Sequence, residues 1–80
     1  MKTTIDVSQL EPCEPMERIL AALPKIQTGE YLQVLHRMEP HPLYPILTQQ
    51  GYSWITKTNK QPIEICIWRS DDLVAKANIV

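Results

Sequence analysis

Apolar and polar positions change period several times along this chain, and each change marks a predicted element. In Thr4-Ile5-Asp6-Val7 the apolar Ile5 and Val7 alternate with polar neighbours, the period-two signature of a short strand. From Met16 the period lengthens. Met16, Ile19, Leu20 and Leu23 fall at i, i+3, i+4 and i+7 and form one helical stripe. The preceding Leu10-Glu11-Pro12-Cys13-Glu14-Pro15 suits a helix start, because a proline there gives up only an N–H that would lack a partner anyway. Glu11, Glu14 and Glu17 complement the positive end of the helix dipole. Pro24 ends this helix, and Thr28-Gly29-Glu30 reads as a turn.

The second strand is Tyr31-Leu32-Gln33-Val34-Leu35-His36, apolar enough to be buried on at least one face. A proline cluster follows, Glu39-Pro40-His41-Pro42-Leu43-Tyr44-Pro45. Pro42 fits the first position of a second helix, and Pro45 falls in its first turn, where a missing N–H is tolerated. Leu43, Ile46 and Leu47 give that helix its stripe, and Gly51 is its stop. Residues 52–57 and 62–69 then read as a hairpin about the polar turn 58–61. Strict alternation sends Ile63, Ile65 and Ile67 to one face and Glu64, Cys66 and Trp68 to the other. Residues 70–80 have no strong period and read as a loose tail. The order β-α-β-α-β-β predicts an α+β two-layer sandwich, a four-stranded mixed sheet with two helices on one face. One domain spans residues 1–80, with its core at about 4–69.

Composition narrows the function classes. Of 80 residues, 44% are hydrophobic and 21% charged, as in ordinary globular chains. Eight Lys and Arg against nine Asp and Glu leave a formal charge of -1, without the basic excess of a dedicated nucleic-acid binder or of a protein held on an anionic membrane. No apolar run approaches the roughly 20 residues of a membrane span, and the stretch from Met1 to Asp6 has no apolar signal core, so the expected location is the cytoplasm. The expected partner is another protein, of unidentified kind.

Candidate chemistry gathers at the two βα junctions, which repeat one another. Leu10-Glu11-Pro12 and Met38-Glu39-Pro40 are both apolar-Glu-Pro, each followed by a chemically able residue and a second proline. Parallel strands would bring both junctions to the carboxyl end of the sheet, the usual ligand position in α/β folds. Cys13, His36, Glu39 and His41 would then converge. A helix N-terminus lowers the pKa of Cys13 while Glu11, Glu14 and Glu17 raise it, so an unreactive thiol is favoured over a reactive one. Without CxxC or HExxH spacing, no metal and no cofactor is assigned. Glu14 and Glu39 read as helix-start charges rather than an acid–base pair. The candidate binding residues are thus Glu11, Cys13, Glu14, His36, Glu39 and His41, with Cys13 the candidate thiol. On the opposite sheet face Cys66 reads as a small surface or interface residue. Trp68 reads as an exposed anchor for a partner, unless the tail folds back over it through Leu73, Val74, Ile79 and Val80.

The proline-rich helix start after a short strand carrying an aspartate resembles the SirA/TusA-like sulfur carriers, whose signature is Cys-Pro-x-Pro. A related uncharacterised family of short SirA-like domains is closer. The resemblance runs through Leu10-Glu11-Pro12-Cys13-Glu14-Pro15-Met16-Glu17-Arg18-Ile19-Leu20, His36, Glu39-Pro40, Pro42-Leu43-Tyr44 and Gly51-Tyr52, over residues 4 to 69. It implies the same two-layer fold. With Pro15 matched to the second proline of the carrier motif, Pro12 stands where the persulfide-bearing cysteine belongs and Cys13 where the first proline does, so the carrier's nucleophile does not transfer. The favoured function is a small non-enzymatic accessory or protein-interaction domain. The alternatives are a sulfur carrier or thiol relay through Cys13, and a metal- or haem-associated redox-sensing module.

Overall fold

A computed structural model describes residues 2–10 and 14–79. The elements are β1 (Lys2–Asp6), α1 (Glu14–Ala22) with a 3₁₀ turn (Leu23–Lys25), β2 (Tyr31–His36), α2 (Leu43–Gln49), β3 (Tyr52–Lys57), β4 (Ile63–Arg69) and α3 (Leu73–Ile79). The sheet runs β1-β2-β4-β3, with β1 parallel to β2 and β4 antiparallel to both its neighbours. β1, β2 and β3 therefore point the same way. The β3–β4 hairpin inserts β4 between the two strands that α2 connects. This is the expected α+β sandwich with a mixed four-stranded sheet.

Register explains the core. Leu32 pairs with Ile67, Val34 with Ile65 and His36 with Ile63, so six side chains share one face. Ile19 and Leu23 come down from the α1 side, and Leu43 and Leu47 from α2, each at most 1% exposed. Each fully buried side chain of this size contributes roughly 1.5–3 kcal/mol. Leu20, expected in the core stripe, is only half-buried and packs on the rim of that cluster. Beyond Gln50, Gly51 adopts φ +86, the left-handed turn that ends α2 and that a side chain would strain.

The segment 70–80 is not a loose tail, because residues 73–79 form α3. Asp72 starts it: its Oδ1 accepts the Ala75 N–H at 3.0 Å, the bond of an N-cap. Its Oδ2 accepts the Gly29 N–H at 2.8 Å, and Asn78 Nδ2 donates to the Gly29 carbonyl at 2.9 Å. Both polar backbone groups of Gly29 are thus tied to α3 and its cap. Gly29 itself adopts φ +82, where a side chain would be strained, and Val74 Cγ1 lies 3.4 Å from where that side chain would begin.

α3 corrects two expectations about the second sheet face. With α1 and α2 over the isoleucine face, α3 packs on β2 and β4 with Ala75 fully buried. Trp68 is only 5% exposed, so it is no exposed anchor. Cys66, expected at the surface, is 1% exposed. Of the residues expected to supply the cover, Ile79 is half-buried while Leu73 and Val74 stay exposed, and Val80 lies outside the described residues; the buried position of α3 is Ala75. Among the described residues no helix is long and apolar enough to cross a membrane.

Candidate functional site

The parallel pairing of β1 and β2 sets Asp6 opposite Leu35, and the Val7 N–H donates to the Leu35 carbonyl at 2.8 Å. The chain leaves both strands at the same end of the sheet, so Leu10 and Pro15 of the first junction lie beside the second. Between them is a groove of about 620 Å³. Leu10 lines it from the first junction, and Pro15, Met16, Glu17 and Leu20 from α1. His36 lines it from the end of β2, followed by Arg37, Met38, Glu39, Pro40 and Pro42. The walls are mostly apolar and the volume lies in the range of ligand sites, roughly 300–1,000 Å³.

His36 supplies the most constrained polar group. It occupies the last position of β2 on the core face and is 6% exposed. The Met38 N–H donates to its Nδ1 at 3.3 Å. An accepting Nδ1 is unprotonated, so the ring proton sits on Nε2. Burial, and then the neighbouring Arg37 charge, hold the imidazole below its ordinary pKa, which keeps it neutral near pH 7. Among the described residues Nε2–H has no acceptor, and no buried side-chain nitrogen or oxygen is left sealed without a partner. The ring thus carries a donor uncommitted among the described residues, in a mostly apolar wall that also includes Glu17, Arg37 and Glu39. Metal ligation through Nε2 would require that proton to leave.

Glu39 is held at the same junction, three residues beyond His36. Tyr44 Oη donates to Glu39 Oε2 at 2.9 Å, which leaves the Thr56 hydroxyl to donate to Tyr44 Oη at 2.7 Å. Tyr44 is also stacked on Trp54, with ring centroids 4.9 Å apart and planes within 4°. This binds the β2–α2 junction to β3 and fixes the wall that carries Met38 and Pro40. His41 Nε2 lies 3.6 Å from Glu39 Oε1 with its side chain 75% exposed.

Of the six candidate residues, His36 and Glu39 come together on the groove. His41 touches Glu39 from outside and does not line it, and Glu14 is exposed at the start of α1. Glu11 and Cys13 lie outside the described residues. Among the described residues no group of three or more His, Cys, Asp or Glu is placed to hold a metal. The side chains that sequence reasoning missed are the apolar ones, Leu10, Met16, Leu20 and Met38. Their signal was present in the repeated apolar-Glu-Pro junctions, whose apolar members, Leu10 and Met38, line the same groove.

The second thiol is out of play. Burial and the Glu64 carboxylate push the Cys66 pKa up to about 11, so the group stays protonated. Its S–H donates to Glu64 Oε2 at 3.5 Å.

Among family models, one described as "Uncharacterized conserved protein (DUF2249)" matches residues 4–69. No curated protein and no solved structure matches the chain.

Proposed function

We propose, for a chain that belongs to the family described as an uncharacterized conserved protein (DUF2249), that it is a small non-enzymatic binding domain whose junction groove takes an apolar side chain of a protein partner. The observation that carries this reading is the groove itself, walled by Leu10, Met16, Leu20 and Met38, with a neutral His36 presenting one N–H. Apolar walls supply most of the attraction, and the fixed His36 donor orients a backbone carbonyl of the partner. Met38 is 62% exposed beside the groove, and flexible thioethers adapt to partner side chains. Two of the polar groups on the groove hold its walls: Glu39 binds Tyr44, and His36 is fixed in one tautomer.

A photoreactive residue placed at Met38 tests the reading. Irradiation in lysate should give a discrete protein adduct, absent when the same residue replaces the exposed Leu73, and lost from the Met38 probe when Leu20→Arg charges the groove. Equal capture from both positions would contradict it.

A thiol relay through Cys13 is the second reading. It draws support from Leu10 and Pro15, which bracket residues 11–13 and both line the groove. Incubation with a cysteine desulfurase and cysteine, followed by intact-mass measurement, tests it. A gain of one sulfur atom, lost in Cys13→Ser, supports the relay, and an unchanged mass rejects it.

A further inference from the structure

β1 is an edge strand, and the ladder fixes which of its backbone groups remain free. The Val7 N–H donates to the Leu35 carbonyl of the β2 end. Along a strand, successive residues turn their N–H and C=O to opposite sides. Residues in step with Val7, namely Ile5 and Thr3, therefore bond toward β2, and Lys2, Thr4 and Asp6 turn theirs outward. Beside that edge, between β1 and α1, lies a second groove of about 390 Å³. Its α1 wall is Arg18, Ala21 and Ala22, continued by Lys25 of the 3₁₀ turn. These fall at i, i+3, i+4 and i+7, so two cations flank a low floor of methyl groups. Among the described residues neither Arg18 nor Lys25 has a carboxylate within ion-pair distance. Asp6, also on this groove, has its Oδ1 occupied by the Ser8 N–H and hydroxyl at 2.9 and 2.6 Å.

We infer that this edge takes an extended acidic peptide segment as an additional strand, with backbone pairing to Thr4 and Asp6 and carboxylates on Arg18 and Lys25. The mode is β-strand addition, in which main-chain hydrogen bonds supply affinity and alternate side chains supply selectivity. Arg18 and Lys25 lie seven residues apart, about 10 Å along the helix axis. A strand advances roughly 13 Å over four residues. Carboxylates at i and i+4 therefore reach both cations, and a small apolar residue at i+2 rests on Ala21 and Ala22. The groove beside the other sheet edge, β3, is lined by Thr48, Tyr52, Ser53, Trp54 and Ser70, with no cation in its lining.

The test is a titration of the isotope-labelled chain with the peptide Thr-Glu-Thr-Val-Thr-Glu-Thr, with a second peptide carrying Lys in place of both Glu. The expected result is saturable shifts of the Thr4 and Asp6 amides by the acidic peptide only. A chain carrying Arg18→Glu and Lys25→Glu should bind at least about tenfold more weakly, with the β2 and β4 resonances unchanged as proof of fold. Thr4→Pro, which removes one outward N–H at an edge position, should weaken binding without altering the charges. Equal binding of both peptides, unchanged affinity in the double charge variant, or shifts confined to residues 52–57 would each overturn the inference. So would self-association through β1 in place of peptide binding.

Discussion

Glu64 shows how far a single residue can depart from what its position in the sequence implies. Alternation assigns it to the second sheet face, which suggests an exposed carboxylate. Its side chain is only 8% exposed, and both oxygens are used. Lys60 Nζ meets Oε1 at 2.6 Å, Gln33 Nε2 donates to Oε2 at 2.6 Å, and Lys57 stands 4.0 Å away. These contacts hold its pKa at about 2, against the ordinary 4.5. A carboxylate whose folded pKa is depressed contributes stability above the unfolded pKa and loses it as pH falls through the folded one. Stability should therefore decline from pH 4.5 toward pH 2, with a contribution from Glu64 of roughly 2–3 kcal/mol after allowing for the partly exposed lysines. Denaturant unfolding across that window checks this, and Glu64→Gln should flatten the slope. The neighbouring Cys66, with its pKa pushed up to about 11, should resist alkylation at pH 8 in the native chain and react on unfolding. Mass mapping of the labelled site reads the difference. Neither property was legible beforehand. Period-two alternation gives the face, but Gln33 lies 31 residues away and Lys60 reaches Glu64 only once the turn folds it back, so the burial is not set by the strand's own pattern.

At the scale of elements, the periodic segments and the short β1 were legible, and α3 was not. α1, β2, α2 and the hairpin appear where their stripes and alternation put them, because each has a full apolar face to bury. α3 has seven residues and one buried position, Ala75, too little for a stripe to register. Its readable signal was Asp72, a capping residue at the head of Leu73-Val74-Ala75-Lys76-Ala77. If α3 is what covers Trp68, Ala75→Glu should undock it. The expected cost is more than about 2 kcal/mol, since a charge would be buried without a partner. In a Trp54→Phe background, Trp68 emission should shift to the red; unchanged emission would place the cover elsewhere. Within α1, Ile19→Ala should cost roughly 2–5 kcal/mol as a fully buried site. Leu20→Ala should cost less, about 1 kcal/mol, because the side chain is half-buried. Equal losses in urea unfolding would show that Leu20 belongs to the core rather than to the groove.

For the whole molecule, the parallel pairing of β1 and β2 is what turns two separate sequence signals into one place. The sequence contained the two apolar-Glu-Pro junctions and the chemistry of His36 and Glu39. It did not contain the distance between them, which depends on residues 2–6 pairing in register with 31–35. Chemically able residue types point to His41 and Glu14, which do not line the groove, and pass over Leu20 and Met38, which do. The measurement that bears most directly on the proposed function is the affinity of the partner segment recovered by crosslinking from position 38, compared between the native chain and Leu20→Arg. Near-ultraviolet circular dichroism confirms that the variant is folded. The account predicts a loss of about tenfold or more, as for a charge set into an apolar binding pocket. Unchanged affinity in a folded Leu20→Arg chain would contradict it.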